Sequence, residues 1–200
     1  MRLVTLGVGA AASPRYLPAG LLVVRGGVRV MLDGGPGAAP AGRLDAWLVT
    51  DERAELRSQL RRLAAERGLR PHAGSFQRGE LRIRACPVVH TNHPTFGYRI
   101  EAPEGTVVWA PEFFEFPRWA HGVGLMFAEA AGWERPIRFA GGVGGHLHVP
   151  AVAEAARCHR VGRLVFAHIG QPIRAMDRGE RPAFGEFARD GQVFRVTSRR

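Results

Sequence analysis

The sequence predicts an α+β domain in which two β-sheets pack face to face with helices on the outside. Three observations carry this reading. Short apolar runs bounded by glycine and proline recur along the chain, the pattern of strands and turns. They fall into two β-rich halves, each closing on an amphipathic helix. Histidines and carboxylates sit at the ends of the apolar runs rather than inside them. Two hundred residues suffice for one domain with a sizeable core, so residues 1–200 are read as a single unit.

In order, residues 1–6 form a first strand that runs into the loop Gly7-Val8-Gly9, which continues to Pro18. Residues 21–24 and 28–32 flank Gly26-Gly27, a hairpin signal. The second of these strands enters the sharp turn Asp33-Gly34-Gly35-Pro36-Gly37, and residues 46–49 make a short buried strand. Residues 52–67 place Leu56, Leu60 and Leu63 at helical spacing, with arginines elsewhere and Gly68 as the stop. Further strands are expected at 81–83, 88–89, 98–100, 106–110 and 125–127, with a short helix at 113–119. After the glycine-rich Gly141–Gly145, residues 150–159 read as a helix with proline in its first turn. Residues 163–167 read as a buried strand that delivers His168, and residues 192–196 add a last strand.

Composition narrows the function classes. Apolar content of 46% and charged content of 23% are ordinary for a soluble globular chain, but the net charge is +10 and all 28 basic residues are arginine. Such a surplus attracts phosphates and polyanions. A compositional preference for arginine over lysine explains it equally well, because no basic block with interleaved aromatics appears. Cys86 and Cys158 are far apart and form no CxxC, so neither a disulfide framework nor a zinc ribbon is indicated, and a reducing cytoplasm fits. The first apolar run is broken by Gly7, Gly9 and Pro14, unlike a signal peptide, and no window approaches the length of a membrane span. Ser198-Arg199-Arg200 reads as a frayed basic tail.

Seven pieces, in order, carry a family resemblance: LGVGAAASPRYLPAG, MLDGGPG, LVTDERAEL, VVHTNHPTFGYRI, VVWAPE, LMFAEAA and GGHLHVPAVAEAARCHRVGRLVFAHIG. Together they resemble the metallo-β-lactamase fold superfamily, most closely its ribonuclease Z and related phosphodiesterase branch. The resemblance implies a four-layer αβ/βα sandwich of two mixed β-sheets, with the active site at the rim where strands end.

In that superfamily a His-x-His-x-Asp-His motif follows a strand ending in threonine and helps to hold two divalent metals. Those metals acidify a bridging water and polarise the scissile bond. Here the motif positions fall on Asp51, Arg53, Glu55 and Leu56. The later ligands fall on His90, Glu112 (in place of the bridging aspartate) and His168. Arg53 and Leu56 cannot bind metal, so the usual two-metal centre is not expected. The resemblance leaves Asp51, Glu55, His90, Glu112 and His168 as ligands for at most one divalent ion, Zn, Mn or Fe. The opposing outcome is a site without metal, in which the Arg53 guanidinium replaces the ion. Arg53 is then expected to turn inward and donate to Asp51, Glu55 or Glu112 at about 2.7–2.9 Å.

The ribonuclease Z branch also has a histidine lining its active site at the place of His146, which implies a phosphate-positioning or proton-donating residue, with Glu55 as a second catalytic candidate. His93, in His90-Thr91-Asn92-His93, is a substrate-side candidate whose bland alternative is a hydrogen-bonded structural imidazole. His148 either adds a contact or merely precedes a helix. Residues 170–187 form either a lid or a surface excursion, and Arg174 within them, like Arg53, is a candidate for holding an anion. Glu129 matches the acidic residue of the branch's His-Glu-Ala-Thr motif, with Ala128 in place of the histidine. Asp33 matches a position that buttresses the metal loop. Two functions stay open. One is a metal-dependent hydrolase of a phosphoester or other anionic substrate. The other is a non-catalytic member that binds an anionic ligand or nucleic acid in a pocket organised by Arg53. Neither reading involves a membrane.

Overall fold

Side chains at alternate positions of the first strands face different neighbours, and that alternation builds the layers of the N-terminal half. The computed structural model describes residues 1–11 and 13–198. Arg199 and Arg200 of the basic tail lie outside the described residues. The first sheet contains β1 (Arg2–Gly7), β2 (Gly20–Arg25), β3 (Val28–Asp33), β4 (Ala46–Leu48) and β14 (Gln192–Arg195). Its order is β14-β1-β2-β3-β4, antiparallel except for the parallel pair β3 and β4. Leu3, Leu21, Val23, Val30, Leu32 and Leu48 belong to the core shared with the second sheet, whereas Leu22, Met31 and Trp47 pack with Leu60 and Ala64 of α1 (Arg57–Ala65).

The second sheet contains β5 (Phe76–Arg78), β6 (Leu81–Val88), β7 (Thr95–Ala102), β8 (Gly105–Ala110), β9 (Leu125–Ala130), β12 (Leu164–Ile169) and β13 (Glu186–Phe187). Its order is β13-β12-β9-β8-β7-β6-β5, antiparallel from β5 to β8 and parallel from β8 to β13. Ile83, Tyr98, Ile100, Trp109 and Phe127 are fully buried in the shared core. Trp109 and Tyr98 reach across to the first half, where the Trp109 Nε1–H donates to Asp33 Oδ2 and the Tyr98 hydroxyl donates to the Val49 carbonyl. Val149, Val152, Ala153 and Ala156 of α2 (Val149–Cys158) cover β9 and β12. The layers are therefore helix, sheet, sheet, helix, as the resemblance implied. A small ribbon pairs β10 (Ile137–Arg138) with β11 (Gly145–His146), and α3 (Pro172–Asp177) follows β12.

Four stretches differ from the sequence reading. The helix expected at 52–67 begins only at Arg57, because Asp51 Oδ1 accepts the Arg53 N–H at 2.7 Å and holds the chain in a turn. Residues 113–119 form no α-helix. The Phe113 N–H is taken by Glu129 and the Phe114 N–H by the Val89 carbonyl, leaving only a 3-10 turn at Arg118–Ala120. The separate strands expected at 81–83 and 88–89 are one strand, β6, which runs through Pro87. β5 pairs only with Leu81, Arg82 and Ile83, so the proline occupies a stretch bonded on one side alone. Residues 170–187 carry α3 and β13 rather than a featureless loop. No helix among the described residues is long and apolar enough to cross a membrane.

Candidate active site

Six strand ends or following turns meet at one edge of the sandwich. They supply Asp33 at the end of β3, Asp51 after β4, His90 and His93 between β6 and β7, Glu112 after β8, Glu129 on β9 and His168 on β12. A cleft of about 50 Å³ is lined by Asp33, Asp51, Glu55, Leu56, Glu112 and His168, among others. Two of these residues are held in the left-handed region without being glycine, Asp33 at φ 53° and His168 at φ 58°. Such backbone persists only where surrounding contacts enforce it, and it concentrates at functional sites. At His168 the enforcing feature is a register shift between β12 and β9, spanning Phe166 to Ile169.

Three imidazoles cluster behind the cleft. The His146 ring centroid lies 4.7 Å from that of His90 and 5.3 Å from that of His168. Each ring has its Nδ1 tied to an acceptor: His90 to the Gly145 carbonyl at 2.9 Å, His146 to Glu129 Oε2 at 2.8 Å, and His168 to Glu129 Oε1 at 3.4 Å. These acceptors assign the proton to Nδ1 and turn Nε2 toward the site. His168 Nε2 lies 2.9 Å from Glu112 Oε1, and His90 Nε2 lies 3.9 Å from Glu112 Oε2.

Charge follows from this geometry. Burial opposes a charged His168, but Glu112 and Glu129 outweigh it and push the imidazole up to about 10. Burial likewise opposes a charged Glu112, yet His168, His90 and His146 hold it well below the usual carboxylate range. The fully buried Glu129 is also held low against burial, by His146 and His168. Its two oxygens additionally accept the Phe113 and Ala131 N–H groups, at 3.0 and 2.8 Å. Asp33 is the buttress expected of it. It accepts from the Thr50 N–H and hydroxyl and from Trp109, while burial pushes its carboxyl up to about 6.

The glycine-rich loop has a geometric reason. A Cβ on Gly144 would stand 2.1 Å from the His90 carbonyl oxygen, and its φ is +140°. Only glycine lets the loop approach closely enough for the Gly145 N–H to donate to the His90 carbonyl at 2.9 Å.

Of the five expected ligands, His90, Glu112 and His168 come together. Asp51 lines the same cleft but is engaged by His93, whose Nε2 lies 2.9 and 3.0 Å from its two oxygens. Glu55 is exposed at the cleft wall and pairs with nothing among the described residues, and Leu56 beside it contributes only apolar surface. The inward, salt-bridged Arg53 is not found. Its side chain is exposed and pairs with no carboxylate among the described residues. Two contacts account for this: Asp51 takes the Arg53 backbone N–H, and His93 occupies the carboxylate that the guanidinium was expected to meet. His148 is the N-cap residue of α2 with no side-chain cap bond, and its Nδ1 is buried without a partner, which presses its pKa down. Arg174 is exposed on α3 and does not line the cleft. Glu129 is the residue whose importance sequence reasoning understated, since its only signal was the incomplete motif in FAEAA.

Glu129, His146 and His168 each bring a ligand atom within 4.8 Å of the others, a His/Glu cluster of a kind that could hold a divalent ion. No curated protein matches the chain by sequence. In fold it is similar to the metallo-β-lactamase fold protein YhfI of Bacillus subtilis, with a TM-score of 0.74 and 14% identity over 97% of this chain and 99% of that one. It is also similar to a diphosphatase of the PhnP family, with a TM-score of 0.67 and 17% identity over 97% of each chain. Human tRNase Z, short form (ELAC1), aligns with a TM-score of 0.67 and 15% identity over 98% and 99%. At these identities the likeness is one of fold. The family described as a β-lactamase superfamily domain matches residues 17–169, and the chain accordingly belongs to that family and carries the metallo-β-lactamase fold.

Proposed function

We propose that the protein is a metal-dependent hydrolase of a phosphoester or another anionic substrate, with an altered site that holds at most one divalent ion. The observation that carries this is the pair of imidazoles, His90 and His168, whose Nδ1 atoms are tied off while both Nε2 atoms approach the two oxygens of Glu112. A diphosphatase and a tRNase Z among the proteins of similar fold support phosphate-bearing substrates.

The donor types suit one ion and not two. His90, His168 and Glu112 offer two imidazole nitrogens and a carboxylate, a set suited to Zn, Mn or Fe. Arg53 and Leu56 remove two ligands of the paired site, and Asp51 is committed to His93. Glu129 reads as a brace rather than a ligand, because both its oxygens already accept two hydrogen bonds each. When bound, the ion would supply Lewis-acid polarisation of the phosphoryl group. Glu112 and His168 share a proton that must leave when they become ligands, so metal affinity should fall in acid. Glu129 holds the Nδ1–H of His146 and leaves Nε2 as the atom that takes a proton from water or, once the ring carries a second proton there, gives it to a leaving oxygen. Arg53 and Glu55, exposed at the rim, are available to the distal part of a substrate. The alternative of a silent pocket organised by an inward Arg53 loses its support, since that arginine is exposed. The free Cys86 and Cys158 support a reducing, cytoplasmic setting.

Elemental analysis of protein purified without chelator tests this, alongside hydrolysis of bis(p-nitrophenyl) phosphate. One equivalent of metal per chain is expected, with metal and turnover both lost in His168→Ala. Two bridged ions, or no metal under supplementation, would refute the reading.

A further inference from the structure

Exposed apolar side chains are unevenly placed in this molecule. The large hydrophobic residues left exposed among the described residues are Leu17, Val89, Val143 and Val193. Single exposed residues need no explanation, whereas several around one cleft mark a binding surface. Val89 directly precedes His90, and its carbonyl accepts the Phe114 N–H at 2.6 Å. Val143 directly precedes Gly144, the residue that packs against the His90 backbone. Leu17 directly precedes Pro18, which lines the cleft. Val193 stands apart, on β14.

Two aromatic residues are tied to the same segments, since the Phe114 N–H donates to the Val89 carbonyl and the Phe139 N–H donates to the Gly144 carbonyl beside Val143. Phe139 sets its ring against both His90 and His146, with centroids 5.4 Å apart in each case. Phe114 carries the Arg138 guanidinium 4.8 Å over its ring. Arg138 is exposed and forms no ion pair among the described residues, so this stacked guanidinium offers a flat, weakly hydrated cationic face. A purely polar or inorganic substrate has no use for such a rim. A substrate with a phosphate at one end and a ring at the other matches both halves of it.

The geometry points to a specificity surface for a flat aromatic group carried by the substrate, formed by Val89, Phe114, Arg138, Phe139 and Val143 beside the His90–Glu112–His168 cluster. This rests on the hydrolase reading and extends it by naming the group attached to the phosphate. The chemistry is shared by simple aryl esters and by nucleotides.

Calorimetric titration of the zinc-supplemented protein with methylphosphonate, 1-naphthylphosphonate and adenosine 5′-monophosphate tests the inference. At least one aromatic ligand should bind tighter than methylphosphonate, by about tenfold or more. A gain shared by both assigns a general aromatic face, and a gain confined to the adenosine ligand assigns a base. In the Val89→Ser/Val143→Ser double variant the ratio of aromatic to methyl affinity should fall toward one. Both positions are exposed, and a melting curve confirms folding. Val193→Ser, remote from the cleft, should keep the ratio. If neither aromatic ligand gains over methylphosphonate, or the double variant keeps the full ratio, the aromatic surface is overturned while the hydrolase reading stands. If none of the three ligands binds, both are overturned.

Discussion

Glu129→Gln exchanges one atom of a buried carboxylate and removes its charge, and the consequence can be worked out from the four bonds it makes. Glu129 Oε1 accepts the Ala131 N–H at 2.8 Å and His168 Nδ1 at 3.4 Å, and Oε2 accepts the Phe113 N–H at 3.0 Å and His146 Nδ1 at 2.8 Å. All four partners are donors in this arrangement. A glutamine keeps one oxygen, so its amino group must face one backbone N–H and one imidazole N–H whichever way it turns. The better choice gives up the Ala131 and His168 side, where one bond is already long. A hydrogen bond to a charged group contributes about 1.5–3 kcal/mol, and a buried donor left unpaired costs about 1–3 kcal/mol. With one good bond and one weak bond lost, destabilisation of roughly 3–5 kcal/mol follows. For a chain of this size ~1 kcal/mol corresponds to ~2–4 °C, so melting should fall by about 10 °C. Urea unfolding followed by tryptophan fluorescence, with metal content measured on the same samples, checks both arms. Glu129→Gln within about 1 kcal/mol of the parent, with metal retained, would refute the brace.

Two further outcomes are expected. Asp33, raised by burial to about 6, has a higher pKa folded than unfolded, so the stability it contributes is full below pH ~4 and is lost as pH rises through about 6. In urea melts the parent should therefore lose ground to Asp33→Asn between pH 4 and 7, on top of a constant offset from the altered hydrogen bonds, and a pH-independent difference would contradict the assignment. Gly144→Ala places a methyl 2.1 Å from the His90 carbonyl at a φ of +140°, so the loop must back away and release His90 Nδ1. Metal affinity should drop by about tenfold or more in a competition titration, and unchanged affinity would show that the loop does not position His90.

What the sequence makes legible is whatever a short window specifies. The Gly26-Gly27 hairpin, the proline in the first turn of α2 and the apolar strand that delivers His168 are all local patterns, and the structure carries each of them. The direction of Arg53 is not local. It depends on His93, 42 residues beyond Asp51, reaching that carboxylate first. Glu129 is legible only as the remnant of a motif, because its role comes from His146 and His168, 17 and 39 residues later. Helical spacing over 52–67 is real, but a side-chain bond from Asp51 to the backbone withdraws the first turn from the helix. Pro87 marks a break only if both sides of its strand are bonded, a condition that depends on the length of β5.

The pairing of β14 with β1 bears on when this protein becomes competent during synthesis. Arg2 to Thr5 find their partners in Gln192 to Arg195, and Asp190 receives the N–H groups of Val8 and Leu17 on its two oxygens. Those bonds pin both ends of the loop that ends at Pro18, on the cleft wall, and they span 182 and 173 residues of chain. A ribosome-bound chain that has not yet supplied Asp190 and β14 would hold the histidines of the site but leave that wall untethered and β1 unpaired on one side. Long-range closure of this kind is slow relative to local hairpin formation. The nascent form, with β1 still unpaired along that edge, is then the species most exposed to wrong strand pairing and to chaperones.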